Sequence, residues 1–143
     1  MFNANDVTQI LPSVTGKGVG DILAGRFQLV KLIGNGANGS VFLSRDLHLQ
    51  CDIALKILHS SVLSSPPTID AVRQEIILAR GITHPNVIRV HDFYLAQDCA
   101  FYTMDYIDGV TLADYHLPDT DDAPAIAEHL GLQLIAAVEA IHQ

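Results

Sequence analysis

Two groups of residues in this chain have types and spacing suited to phosphate chemistry. The first is Ile33-Gly34-Asn35-Gly36-Ala37-Asn38-Gly39-Ser40-Val41-Phe42, a G-x-G-x-x-G-x-V pattern. Glycine carries no Cβ, so its backbone N–H can approach a phosphate oxygen closely. The second is Lys56, set inside the apolar run Ile53-Ala54-Leu55-Lys56-Ile57. An ammonium held in a cleft meets phosphate as a compact point charge. Each has a plainer explanation when taken alone. The glycines could form an ordinary hairpin turn, and the lysine could sit on an edge strand with its stem reaching water.

The flanking elements separate these explanations. Arg26 to Ile33 alternates, placing Phe27, Leu29 and Lys31 on one face and Gln28, Val30 and Leu32 on the other. Ser40 to Arg45 reads as a second strand, so the glycines lie at a hairpin tip. A dinucleotide-binding fold would instead lead from the glycines into a helix. Here Val41 and Phe42 follow with no helix-start signal. Gly16-Lys17-Gly18 is rejected as a P-loop end, because position 11 is Leu and Gly18 stands where Ser or Thr is needed. The third strand, Gln50 to Leu58, puts Ile53, Leu55 and Ile57 on one face. Ala54 and Lys56 share the other, where the small alanine leaves room for a flat ring.

Composition narrows the function classes. The chain has 143 residues, 49% of them hydrophobic, enough for one domain with a core. Its net charge of −8 and lack of a basic patch argue against nucleic-acid binding. Cys51 and Cys99 lack metal or redox spacing and read as reduced core or near-core thiols, pointing to the cytoplasm. The seven scattered histidines form no metal-ligand pattern. Residues 1–23 read as a flexible leader without signal-peptide features. No uncharged apolar stretch of membrane-spanning length is expected.

Gly34, Gly36, Gly39 and Val41, followed by Ile53-Ala54-Leu55-Lys56, resemble the glycine loop and lysine strand of protein kinases. The resemblance implies a helix bearing a glutamate that pairs with the lysine. The sequence supplies a helix with Thr68 as N-cap, running to about Ile82, with Ile69, Val72, Ile76 and Ala79 on one face. Glu75 lies beside that face, nineteen residues after Lys56. Its plainer reading is a solvated residue pairing with Arg73 or Arg80. His84-Pro85-Asn86 resembles the turn that follows this helix in the family. Val87 to Leu95 and Ala100 to Tyr106 are read as the fourth and fifth strands, with Gln97-Asp98 at the turn between them.

Thr103-Met104-Asp105-Tyr106-Ile107-Asp108-Gly109 resembles the kinase hinge. The resemblance implies ATP as ligand and Met104 as the residue behind the adenine. The Asp105 carbonyl and the Ile107 N–H and carbonyl would meet its edge. Ile33, Val41 and Ala54 would cover the ring, and Thr111 would lie near the ribose. Asn35, Ala37 and Asn38 complete the loop over the phosphates, which Lys56, held by Glu75, would anchor. Magnesium would arrive on the ATP phosphates.

The resemblance spans residues 24–143. It implies an α+β architecture: a kinase N-lobe and hinge over 24–110, with a five-stranded antiparallel sheet and one regulatory helix. Residues 111–143 would begin the second lobe with a short helix from Thr111 to His116 and a long one from Pro124 to Ile141. The long helix is apolar enough to expect burial on most sides. The bacterial serine/threonine kinases are the nearest likeness, through Ala24-Gly25-Arg26-Phe27. Asn38 before Gly39, and Asp105 where Glu is commoner, depart mildly from the pattern. The family's H-R-D-x-x-x-x-N and D-F-G segments do not occur in residues 1–143; His91-Asp92-Phe93 and Asp108-Gly109 only look similar. The expectation is an ATP-binding portion of a serine/threonine kinase that acts on protein substrates when complete and is inactive alone. The alternatives are an inactive module that binds nucleotide or regulates a partner, and an interaction domain that kept only the fold. Self-association through the last helix is also expected.

Overall fold

The computed structural model describes residues 16–61, 63–96 and 99–142. Its elements are β1 (Ile22–Leu23), β2 (Phe27–Gly36), β3 (Gly39–Asp46), β4 (Cys51–Leu58), α1 (Pro66–Gly81), β5 (Val90–Leu95), β6 (Ala100–Met104) and α2 (Ala123–Ile141). The strands form one antiparallel sheet in the order β1-β2-β3-β4-β6-β5. The expected Gln97-Asp98 turn falls outside the described residues.

The sheet has six strands rather than five, because Ile22–Leu23 pairs with Gln28 and Phe27. Two residues are too few to show an alternation, so the sequence carries no strand signal there. The chain reverses at Ala24 and Gly25, with φ of 50° and 63°. Leu23 is buried in the core, and Gly20 N–H donates to the Leu29 carbonyl at 2.8 Å. Of the expected leader, residues 1–15 lie outside the described residues, whereas 20–23 fold against β2.

Directly opposed residues in an antiparallel pair share a face. One face collects Phe27, Leu29, Phe42, Leu55, Ile57 and Phe101, which with Leu23 and Cys99 make the hydrophobic core. Phe27, Tyr94 and Phe101 pack there as an aromatic trio, with Tyr94 and Phe101 stacked at 4.7 Å. The opposite face carries Gly34, Val41, Lys56 and Tyr102, and beside them Leu43, Ala54, Met104 and Val90. Register shifts at Val30 and Ile33 change the simple alternation of β2. Lys31 is moved opposite Leu43, and Leu32 opposite the core residue Phe42, the reverse of the sequence expectation. A bulge inserts one unpaired residue, so the side chains after it change face until the second bulge restores the alternation at Gly34.

Two contacts pin this register at opposite ends of β3. At one end the fully buried Asp46 carboxylate takes a fork from Arg26, with Nη2 at 2.7 Å and Nε at 3.0 Å. It also accepts from the His48 and Leu49 backbone N–H groups at 2.9 and 3.1 Å. Arg26 lies over the Phe27 ring. At the other end, a Cβ on Gly39 would run into the Ile57 carbonyl oxygen of β4. A side chain at Gly34 or Gly36 would meet only ordinary contacts.

Helix α1 starts earlier than its expected N-cap at Thr68. Ser65 is the N-cap and Pro66-Pro67 occupy the first turn. A residue before proline favours extended backbone, and proline suits a position whose N–H has no helical acceptor. Thr68 instead bonds the Ser65 hydroxyl at 2.8 Å. The helix expected over Thr111–His116 is a single turn, with Asp114 N–H donating to the Thr111 carbonyl at 3.0 Å. The segment is exposed and short, and so cannot offset the cost of helix nucleation. Cys51, expected near the core, is exposed at the start of β4; Cys99 is buried.

Helix α2 also departs from expectation. Leu132, Leu134, Ile135, Val138 and Ile141 are exposed, and only Ala137 is buried. Among the described residues, its one hydrogen bond to another segment is from Asn86 Nδ2 to the Gln133 carbonyl, at 3.1 Å. Its 19 residues are long and apolar enough to cross a membrane by length and composition only, while the expectation concerned uncharged stretches and two glutamates interrupt this one. Glu128 and Glu139 lie within it.

Asp46→Ala should lower unfolding stability by about 2 kcal/mol or more in denaturant titration, because Arg26 and the backbone donors lose their acceptor. Arg26 and the backbone bonds hold the Asp46 carboxyl down to about 2, from 3.8. A carboxyl lowered on folding stabilises the fold above its unfolded pKa. This contribution should therefore be complete above about pH 5. It should fade as pH falls through 4 toward 2, and Asp46→Ala should flatten that part of the acid melt. Gly39→Ala should cost about 1–3 kcal/mol in thermal melts through overpacking, whereas Gly36→Ala should cost far less.

Candidate nucleotide-binding site

The glycine hairpin is built by β2 and β3. Gly34 pairs with Val41, Asn35 with Ser40 and Gly36 with Gly39, leaving Ala37 and Asn38 at the turn. The Asn35 side-chain oxygen accepts from the Ser40 hydroxyl at 3.0 Å, so Asn35 serves the hairpin itself. Ile33 lies at a bulge and is exposed. Gly39 is required by the approach of β4, whatever the hairpin binds.

Cross-strand register assembles the rest. Val41, Lys56 and Tyr102 form one row across β3, β4 and β6; Leu43, Ala54 and Met104 form the next. Ala54 is buried and Met104 half-buried. The Lys56 ammonium lies 5.8 Å from the Tyr102 ring centroid, a cation–π distance. Lys56 and Glu75 both line a cavity of about 250 Å3 between α1 and the sheet, with Asn38, Val72, Ile76 and Tyr102. No ion pair joins Lys56 to Glu75 in this conformation; Glu75 is exposed on α1.

Beyond β6 the chain runs extended through the expected hinge. The Asp105 N–H donates to the Arg89 carbonyl at 3.0 Å, and its carboxylate meets His91 Nε2 at 2.8 Å. Among the described residues, neither the Asp105 carbonyl nor the Ile107 N–H or carbonyl makes a backbone hydrogen bond. These are the groups expected to meet an adenine edge, and they are available to a ligand. Burial pushes the Tyr106 phenol up, and Asp108, 3.5 Å away, adds to the shift. The Thr111 hydroxyl donates to Asp114 at 2.6 Å, so contact with a ribose would compete with that bond.

The structure thus brings Gly34, Val41, Ala54, Lys56 and Met104 onto one sheet face and places Glu75 across a cavity from Lys56. Tyr102, His59 and His91 were not singled out as site residues from the sequence. Tyr102 was hidden because only register shows which β6 residue lies opposite Lys56. His59 and His91 were hidden because a lone histidine carries no spacing signal.

The chain is 29% identical over 125 residues to the serine/threonine-protein kinase PrkC of Bacillus subtilis, covering 87% of this chain and 19% of the relative. It is 37% identical over 99 residues to the serine/threonine-protein kinase pkn3 of Myxococcus xanthus, covering 68% and 18%. The crystal structure of a cysteine-to-alanine mutant of the PknI kinase domain from Mycobacterium tuberculosis superposes with a TM-score of 0.68 at 24% identity, covering 89% of this chain and 52% of that chain. At that identity the likeness speaks to the fold alone. The chain spans about a fifth of the curated relatives and about half of the solved domain. Residues 27–143, a span that includes the glycine hairpin, Lys56 and α1, match the protein kinase domain family, and the chain belongs to that family.

Proposed function

We propose that this chain is the ATP-holding part of a serine/threonine protein kinase. The observation that carries this reading is the pair of cross-strand rows on one sheet face. They set a lysine, a small alanine and a methionine beside a hinge with unspent backbone donors and acceptors. Adenine would lie against Ala54 and Val41, with its edge toward Asp105 and Ile107. Lys56 would take the α- and β-phosphates, and the hairpin of Gly34, Gly36 and Gly39 would cover them. Glu75 would steady Lys56 once the lysine leaves the face of Tyr102.

Among the described residues, no cluster of three or more His, Cys, Asp or Glu is placed to hold a metal ion. Magnesium would come on the ATP phosphates and would supply positive charge there. Transfer of that group to a protein serine or threonine belongs to the complete kinase, in the cytoplasm where ATP is supplied. These residues bind and orient the nucleotide.

The exposed apolar row of α2 supports a second property, self-association of this chain. Light scattering should show average mass rising with concentration, and Leu134→Glu with Ile135→Glu should abolish the rise. A constant monomer mass for the unaltered chain would refute it. The nucleotide reading is checked by calorimetric titration with ATP. Lys56→Met should weaken binding at least about tenfold, the scale of a lost charge-assisted contact. Equal affinity in the two proteins would remove Lys56 from the phosphate site.

A further inference from the structure

The glycine hairpin is strapped to the end of β4 by a residue that the phosphate-site reading does not use. His59 follows β4 directly and is half-buried. Its ring Nε2 lies 2.8 Å from the Gly36 carbonyl, and its backbone N–H donates to the Asn38 carbonyl at 3.2 Å. A carbonyl can only accept, so the ring nitrogen facing Gly36 carries the proton. One residue thus grips the carbonyls on either side of Ala37, by side chain and by backbone.

These bonds set the direction of the tip. A trans peptide is planar, with its C=O and N–H pointing opposite ways. The described residues contain no cis peptide. Drawing the Gly36 carbonyl to His59 therefore turns the Ala37 N–H away from it, and the bond to the Asn38 carbonyl does the same for the Gly39 N–H. Asn38 lines the cavity that also holds Lys56, so the oriented tip stands beside the lysine.

We propose that His59 is a positioning residue for the glycine hairpin, fixing the orientation in which its tip peptides receive the phosphates of a nucleotide. The hydrogen bonds carry the strap itself, and its role toward phosphate rests on the function proposed above. A hairpin tip without the strap would sample many orientations and lose that conformational freedom on each binding event. With it, part of that cost is met before the nucleotide arrives.

The test uses the chain itself with His59→Ala, His59→Phe and His59→Gln. Alanine and phenylalanine remove the ring donor; glutamine retains a side-chain N–H. Backbone 15N relaxation should show lower order parameters at Ala37 and Asn38 in the first two variants, with recovery in His59→Gln. Affinity for ATP, titrated calorimetrically, should fall about five-fold and recover in the same pattern, the factor that one ordinary hydrogen bond produces. Thermal midpoints should stay close to that of the parent, because His59 lies outside the core cluster. Unchanged order parameters at the tip overturn the strap. Lower order with ATP affinity unchanged, while Lys56→Met still weakens binding, overturns the role toward phosphate and leaves the nucleotide site standing. If Lys56→Met is also silent, the nucleotide reading fails, and the relaxation data alone decide whether His59 holds the hairpin.

Discussion

The buried carboxylate of Asp46 is the constraint on which the rest of the sheet depends. An ionised carboxylate without solvent is costly unless donors surround it, and this one has the Arg26 fork and two backbone N–H groups. Meeting that demand holds the start of β2 against the end of β3 and shapes the turn into β4. With that end held, pairing runs residue by residue to Gly39, where the absence of a side chain lets β3 lie against the Ile57 carbonyl. A one-residue slip would strand the carboxylate and drive a Cβ into backbone. The register is therefore specified at both ends of β3.

That register assembles the candidate site from residues scattered along the sequence. Lys56 is opposite Val41 on one side and Tyr102 on the other, and Ala54 is opposite Met104. The core residues occupy the other face and hold the sheet rigid beneath these groups. A binding face gains precision when its side chains stand on strands whose far side is packed. The segment after β6 spends the Asp105 N–H on Arg89 but leaves the Asp105 carbonyl and the Ile107 N–H and carbonyl without a backbone partner among the described residues.

Helix α1 is positioned more loosely. Ile76 is its one buried residue, and a cavity separates much of it from the sheet. The Lys56 ammonium rests toward Tyr102 instead of a carboxylate. The helix and the lysine are thus placed to change partner at small cost, whereas the strands are not. Helix α2 makes the opposite case: Ala137 is buried, but Leu132, Leu134, Ile135, Val138 and Ile141 stay exposed, so much of its apolar surface faces outward.

Much of this protein was legible in one dimension. The glycine spacing, the lysine in an apolar strand, the helix carrying Glu75 and the hinge could be read because each depends on local periodicity or on residue types at fixed separation. The same physics explains what was lost. β1 is too short to show a period. The bulges at Val30 and Ile33 reverse faces without altering composition. Thr111 to His116 has the composition of a helix but not the length to nucleate one. The Arg26–Asp46 fork joins residues 20 positions apart, and His59 reaches Gly36 across 23. The sequence by itself determined the family, the order of β2 to β6 with α1 among them, and the chemical types at the candidate site. Tertiary structure decided which residues face one another, because cross-strand register and long-range hydrogen bonds arise only when the sheet closes around its buried charge.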